Sequence, residues 1–148
     1  MKEEILNVLE KLGFQLREFR NDTYGFQYED INFLFLYDED DNNFLNIAVP
    51  AVAKVCDDNV NDILLLSDRF NYSLKYVKAH CIGETLWLSY ERELLGGEDF
   101  QEIIPKMIIN LEKSLYHFRQ MMNGTGDGSR NDSSFDGDDI EDASEDVA

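Results

Sequence analysis

Four consecutive carboxylates, Asp38, Glu39, Asp40 and Asp41, form a tight group of oxygen ligands, the donor type that calcium and magnesium take. An EF-hand loop needs Gly at its sixth position and Glu at its twelfth, and counting from Asp38 those positions hold Asn43 and Val49. A polar turn between strands is the better reading. Asp132, Ser134, Asp136 and Gly137 repeat the register further on, but Ala143 stands where the twelfth ligand belongs. The soft ligands are sparser. Cys56 and Cys81 belong to no CxxC pair, His80 adjoins Cys81, and His117 is isolated. Zinc spacing is absent, so the two thiols are expected to be small core residues. Gly96 and Gly97 sit alone and build no phosphate-cradling loop. The remaining carboxylates lie in turns and on polar faces, where a solvated acid keeps its ordinary acidity and makes a poor proton donor at neutral pH. The chain is therefore expected not to be an enzyme and to need no cofactor or metal.

Trp87 is the residue that invites a binding role. In the segment Thr85–Leu94 it points away from the apolar stripe Leu86, Leu88, Tyr90 and Leu94. It needs either a helix to cover it or a partner. If uncovered, Trp87 with Leu34, Leu36 and Phe44 forms an apolar patch rimmed by Glu91 and Glu93, which suits an apolar or basic peptide.

The elements that must position these residues follow from periodicity. Ile5, Val8, Leu9 and Leu12 recur at helical spacing, with Glu3 and Glu4 at the favourable end of the dipole and Gly13 as a stop. A weak strand over Phe14–Phe19 and a turn at Asn21 and Asp22 precede a strand over Tyr24–Tyr28. Glu29 and Asp30 separate it from Ile31–Tyr37, whose alternating large residues predict a central strand covered on both faces. Phe44–Val49 follows, and Pro50, with no N–H to donate, is expected to end it. A second helix is predicted over Val60–Phe70, burying Val60, Ile63, Leu64 and Phe70 and closed by Asn71. Ser73–Ile82 and Thr85–Leu94 flank Gly83 and Glu84 as a two-residue hairpin. The last helix carries Phe100, Ile103, Ile104, Met107, Ile108, Leu111, Leu115, Phe118 and Met122 in one stripe, with Glu112, Lys113 and Arg119 on a solvated face. Pro105 predicts a kink or a short first piece ending near Ile104.

At 148 residues the chain suits one domain. Composition breaks after Met122: residues 1–122 read as a single α+β domain, and 123–148 as an acidic Gly/Ser/Asp-rich tail too poor in apolar residues to order itself. Asp plus Glu number 31 against 13 Lys plus Arg, a net charge of −18. That excess argues against nucleic acid or an anionic membrane as partner, since both need a basic surface. The acidic start and the lack of a long apolar run make a cytoplasmic protein the expectation.

The strand–turn–strand FLFLYDEDDNNFLNI and the segment RFNYSLKYVKAHCIGETLWLSYE, together with the element order and acidity, resemble the YbjN-like bacterial family, a group with a type III secretion chaperone-like fold. The closest local match is Asn71 ahead of the strand beginning near Ser73 and Leu74. The resemblance spans Lys2 to Met122, while the Asp-rich tail departs from the family pattern. It implies a curved antiparallel sheet packed with helices, in the order α-β-β-β-β-α-β-β-α, and a possible homodimer. It also implies a non-enzymatic protein-binding module, chaperone-like or regulatory, holding a client segment on its surface. The alternative is an acidic inhibitor or regulator that mimics nucleic acid toward a basic protein.

Overall fold

In the computed structural model residues 1–124 are described; the expectations for the tail beyond Gly124, its disorder and its second EF-hand register, lie outside them. Ten elements follow in order. They are helix α1 (Lys2–Lys11), strands β1 (Arg17–Arg20), β2 (Thr23–Tyr28) and β3 (Ile31–Leu36), and a 3-10 turn at Glu39–Asp41. Then come β4 (Phe44–Lys54), α2 (Val60–Ser73), β5 (Val77–Ile82), β6 (Thr85–Glu93) and α3 (Phe100–Gly124). The order α-β-β-β-β-α-β-β-α is thus the one read from periodicity.

The six strands form one antiparallel sheet, ordered β1-β2-β3-β4-β6-β5. Tight turns set the register of its hairpins. Tyr28 faces Ile31 across Glu29 and Asp30, both at positive φ. Ile82 faces Thr85 across Gly83 and Glu84, and Gly83 takes the positive φ (59°) that a first-position loop residue needs. The Asp38–Asp41 group is a turn: Asp38 Oδ1 accepts from the Asp40 amide at 2.9 Å.

All three helices bury their stripes on one sheet face. Ile5, Val8 and Leu9 of α1, Ile63, Leu66 and Phe70 of α2, and eight positions of α3 from Ile103 to Phe118 are buried. They meet Phe26, Phe33, Phe35, Leu45, Ile47, Leu86 and Leu88 in a single cluster. Each large apolar side chain fully buried there contributes about 1.5–3 kcal/mol.

Several sequence expectations are corrected. Pro50 does not end β4; the strand runs on to Lys54 because Pro50, Ala51 and Val52 form a bulge between the Val49–Leu88 and Ala53–Leu86 pairs, where no ladder N–H is required. Pro105 does not break α3, which is continuous across it. The proline falls early enough that one lost hydrogen bond is outweighed by the buried Ile103, Ile104, Met107 and Ile108 around it. Leu12 lies past the end of α1 and is exposed, and Leu64 is exposed while Leu66 takes the buried place. The first strand begins at Arg17 rather than Phe14, and β5 begins at Val77 rather than Ser73, because α2 continues through Asn71 to Ser73. Cys56 and Cys81 are both exposed rather than core residues. Glu112 on α3 is only half-exposed, and its Oε2 is buried without a hydrogen-bond partner among the described residues. No helix of the described residues is long and apolar enough to cross a membrane.

Candidate site on the helix-free face of the sheet

The strand alternation that sends Phe33, Phe35, Ile47 and Leu88 to the helices sends a second set of residues to the opposite face. Cross-strand pairing joins them in rows: Arg17, Gly25, Leu34, Ala48, Ser89 and Lys78 in one, and Thr23, Leu36, Asn46 and Glu91 in the next. Phe44 pairs with Glu93, Trp87 with His80, and Thr85 with both Lys54 and Ile82. All six residues singled out from the sequence, Trp87, Leu34, Leu36, Phe44, Glu91 and Glu93, therefore lie on this one face.

Their burial differs sharply. Trp87 is 1% exposed and Leu34 0%, packed with Ala48 and with the half-buried Phe19, Leu36 and Ile82. Phe44 is 40% exposed, and Glu91 and Glu93 stand in solvent. Every buried apolar residue of the helices joins the other cluster, so no helix among the described residues covers Trp87 or the Leu34 face of β3. The expectation of a central strand covered on both faces holds for β3 in that Phe33 and Phe35 on one face and Leu34 on the other are all buried, although no helix of the described residues lies over the Leu34 side. Trp87 is closed in without a helix: the Pro50–Val52 bulge stands opposite it on β4, and its Nε1 donates to Thr85 Oγ1 at 2.9 Å. Thr85 Oγ1 in turn donates to the Ile82 carbonyl at 3.1 Å.

The polar groups of the face are few and specific. His80 Nε2 and Ser89 Oγ lie 2.7 Å apart. Burial, aided by the Lys78 charge and opposed by Glu91, holds the His80 imidazole below its ordinary pKa and favours the neutral ring. Lys78 Nζ is 3.5 Å from Glu91 Oε2, an exposed pair worth little by itself. Asn46 Oδ1 is buried with no hydrogen-bond partner among the described residues, an arrangement that costs about 1–3 kcal/mol unless a donor reaches it. Among the described residues no third side chain hydrogen-bonds the His80 ring to orient it toward Ser89. Among the described residues no three His, Cys, Asp or Glu side chains are grouped closely enough to hold a metal ion.

At the β1 end the face opens into a cleft of about 730 Å³, lined by Gln15, Arg17, Phe19, Gly25, Gln27 and Asn32 among others. Strand pairing of β1 begins only at Arg17, and residues 13–15 ahead of it line one side of this space, with the Phe14 ring packed on Phe26 of β2 at 4.9 Å. The Arg17 guanidinium stands 4.7 Å from the Phe19 ring centroid. Gln27 Nε2 donates to Asn32 Oδ1 at 2.8 Å. Sequence reasoning missed Arg17, Phe19, Asn46 and His80. Their alternation was legible, but not the pairing that sets them beside Leu34 and Trp87.

Comparison with solved structures identifies this arrangement. The crystal structure of YbjN from E. coli, a protein described there as a candidate transcription regulator, superposes with a TM-score of 0.65 over 83% of this chain and 92% of that one, at 13% identity. This chain has the YbjN fold. The resemblance read from the strand–turn–strand and hairpin segments is borne out at that level. An uncharacterized protein from Methanothermobacter thermautotrophicus shares the architecture, with a TM-score of 0.55 over 84% of this chain and 97% of that one, at 15% identity. No protein-family model matches the sequence, and no curated protein matches it. At these identities the YbjN likeness speaks for the fold, and the helix-free face must be read from its own residues.

Proposed function

We propose that the protein is a non-enzymatic, cytoplasmic protein-binding module, chaperone-like or regulatory, that holds a client segment on the helix-free face of its sheet. The observation that carries this reading is the anatomy of that face. A buried floor of Leu34, Ala48 and Trp87 is ringed by the partly exposed Phe19, Leu36, Phe44 and Ile82. Charges of both signs, Arg17, Lys54 and Lys78 against Glu91 and Glu93, stand around it. Apolar contacts would supply affinity, and the charges would set register and rate. The regulatory role suggested for YbjN itself is compatible with such a module.

Phe44 gives the direct test, because it is exposed enough to change without opening the core. Client peptides selected on the wild-type chain should bind Phe44→Asp at least about tenfold more weakly, the loss of one buried aromatic contact. Unchanged binding would refute the assignment of this face.

The acidic-mimic reading draws on the net charge of −18. It predicts capture of basic proteins that collapses as salt rises, whereas apolar docking on the sheet should not. Homodimer formation has its own support in the outer side of α2, where Leu64, Leu65 and Tyr72 are exposed at helical spacing. Leu65→Glu should lower the mass measured by light scattering from dimer to monomer.

A further inference from the structure

The cleft at the β1 end of the sheet differs in charge from the rest of the molecule. The chain holds 31 Asp and Glu, yet none of the described residues lining the cleft is acidic, and Arg17 is the one charged side chain among them. No carboxylate of the described residues is paired with Arg17, whose guanidinium stands instead 4.7 Å from the Phe19 ring centroid. Aromatic rings form much of the remaining wall, Phe14 packed on Phe26 and Phe26 stacked on Phe33 at 5.3 Å. A volume of about 730 Å³ suits a small ligand or the end of a chain.

The backbone adds a direction. Tyr28 and Ile31 flank a two-residue loop, so they exchange both of their backbone bonds. The preceding residue, Gln27, therefore turns its N–H and C=O toward the β1 side, where strand pairing reaches no further than Arg17 with Gly25. The 2.8 Å bond from Gln27 Nε2 to Asn32 Oδ1 agrees, because side chains lie closest in the pairs that exchange no backbone bond. An extended chain laid along this stretch of β2 meets the Arg17–Gly25 pair about 7 Å beyond Gln27 and goes no further. What fits is a chain end. Running antiparallel to β2 brings a carboxyl terminus to Arg17, whereas the parallel sense brings an ammonium, which the guanidinium repels.

We propose that this cleft captures the C-terminal end of an extended peptide, its carboxylate on the Arg17 guanidinium, its main chain against the Gln27 backbone and its last apolar side chain on the Phe14 and Phe19 rings. The inference rests on the client-binding function proposed above and names which part of the client enters the cleft. Charge complementarity selects the occupant: the guanidinium offers two parallel N–H donors to one carboxylate, and the Phe19 ring beside it holds the cation in place. An Asp or Glu side chain in mid-chain brings the charge but not the termination that the closed end of the cleft requires.

The probe is acetyl-Ala-Ala-Phe with a free carboxylate, titrated into the full isotope-labelled chain beside the same tripeptide amidated at its C-terminus. The acid should shift the Gly25, Gln27 and Asn32 amide resonances and bind at least about tenfold more tightly than the amide. Arg17→Gln should erase that preference while the far-UV spectrum stays unchanged, since the side chain is exposed. Equal binding of acid and amide by the wild-type chain, or a preference that survives Arg17→Gln, would overturn the proposal. So would acetyl-phenylalanine binding as tightly as the tripeptide, because a small acid would then suffice. The client-binding reading is tested apart from this. Amidated client peptides that bind as tightly as the acids yet lose affinity in Phe44→Asp refute the cleft and leave that reading standing; an Arg17-dependent acid preference with no effect of Phe44→Asp does the reverse.

Discussion

The Asn71 side chain brackets the backbone of Ala79: Oδ1 accepts from the Ala79 amide at 2.7 Å and Nδ2 donates to its carbonyl at 3.1 Å. A residue near the end of α2 thereby acts as one residue of a seventh strand and occupies the outer edge of β5. The adjoining Val77 amide is satisfied locally by the Lys75 carbonyl, through a turn at Tyr76 with φ 71°. An edge treated this way resists pairing with other chains.

Asn71→Ala should therefore cost about 1–3 kcal/mol, because it leaves two backbone groups of Ala79 without their partner. Asn71→Asp, which keeps the acceptor and loses the donor, should fall between. Urea denaturation measures both, and faster hydrogen exchange at Ala79 should accompany the loss.

Gly25 and Phe19 form a second coupled pair. A methyl group at Gly25 would overlap the outer edge of the Phe19 ring, so Gly25→Ala should push the ring off the sheet and cost about 1–3 kcal/mol, the range for overpacking. In Phe19→Ala the same glycine substitution should be nearly neutral. Equal costs in both backgrounds would show that the ring is not what Gly25 accommodates.

The β2–β3 turn leaves stability unused. Glu29 (φ 52°) and Asp30 (φ 61°) both hold a backbone conformation that Asn and Gly adopt more readily. Glu29→Asn with Asp30→Gly should add about 0.5–2 kcal/mol, seen as a higher urea midpoint at unchanged slope.

His80 should make stability fall on acidification. Its imidazole is held below the ordinary value of 6.5 by burial, so the unfolded chain binds the proton more tightly than the folded one. The contribution of the neutral ring is complete above that ordinary value and is lost as pH falls through it toward the folded pKa. His80→Gln should flatten this part of the stability profile, while retention of the full slope would place the titration on another group.

How much of this was legible in the sequence depends on how far apart the deciding residues lie. The stripes Ile5, Val8 and Leu9, and Ile103 through Phe118, repeat at 3.6 residues and declare helices; the Glu29–Asp30 and Gly83–Glu84 turns declare hairpins. These are local facts of backbone geometry. Trp87's direction away from the Leu86 and Leu88 stripe was equally local, and it holds.

Pairing decided the remainder. Pro50 ends a strand by local rules, but the Ala53–Leu86 and Lys54–Thr85 pairs resume the ladder beyond it, so β4 continues through a bulge. Asn71 reads as a helix stop until Ala79 of β5, eight residues later, pairs with its side-chain amide along the strand edge. The sequence alone determined which elements form, in what order, and with what charge, because each depends on near neighbours along the chain. The tertiary structure alone decided that β6 enters between β4 and β5, that all three helices choose one face, and that Leu34, Ala48 and Trp87 are brought together on the other. Those outcomes depend on contacts between residues far apart in the chain, and no local period encodes them.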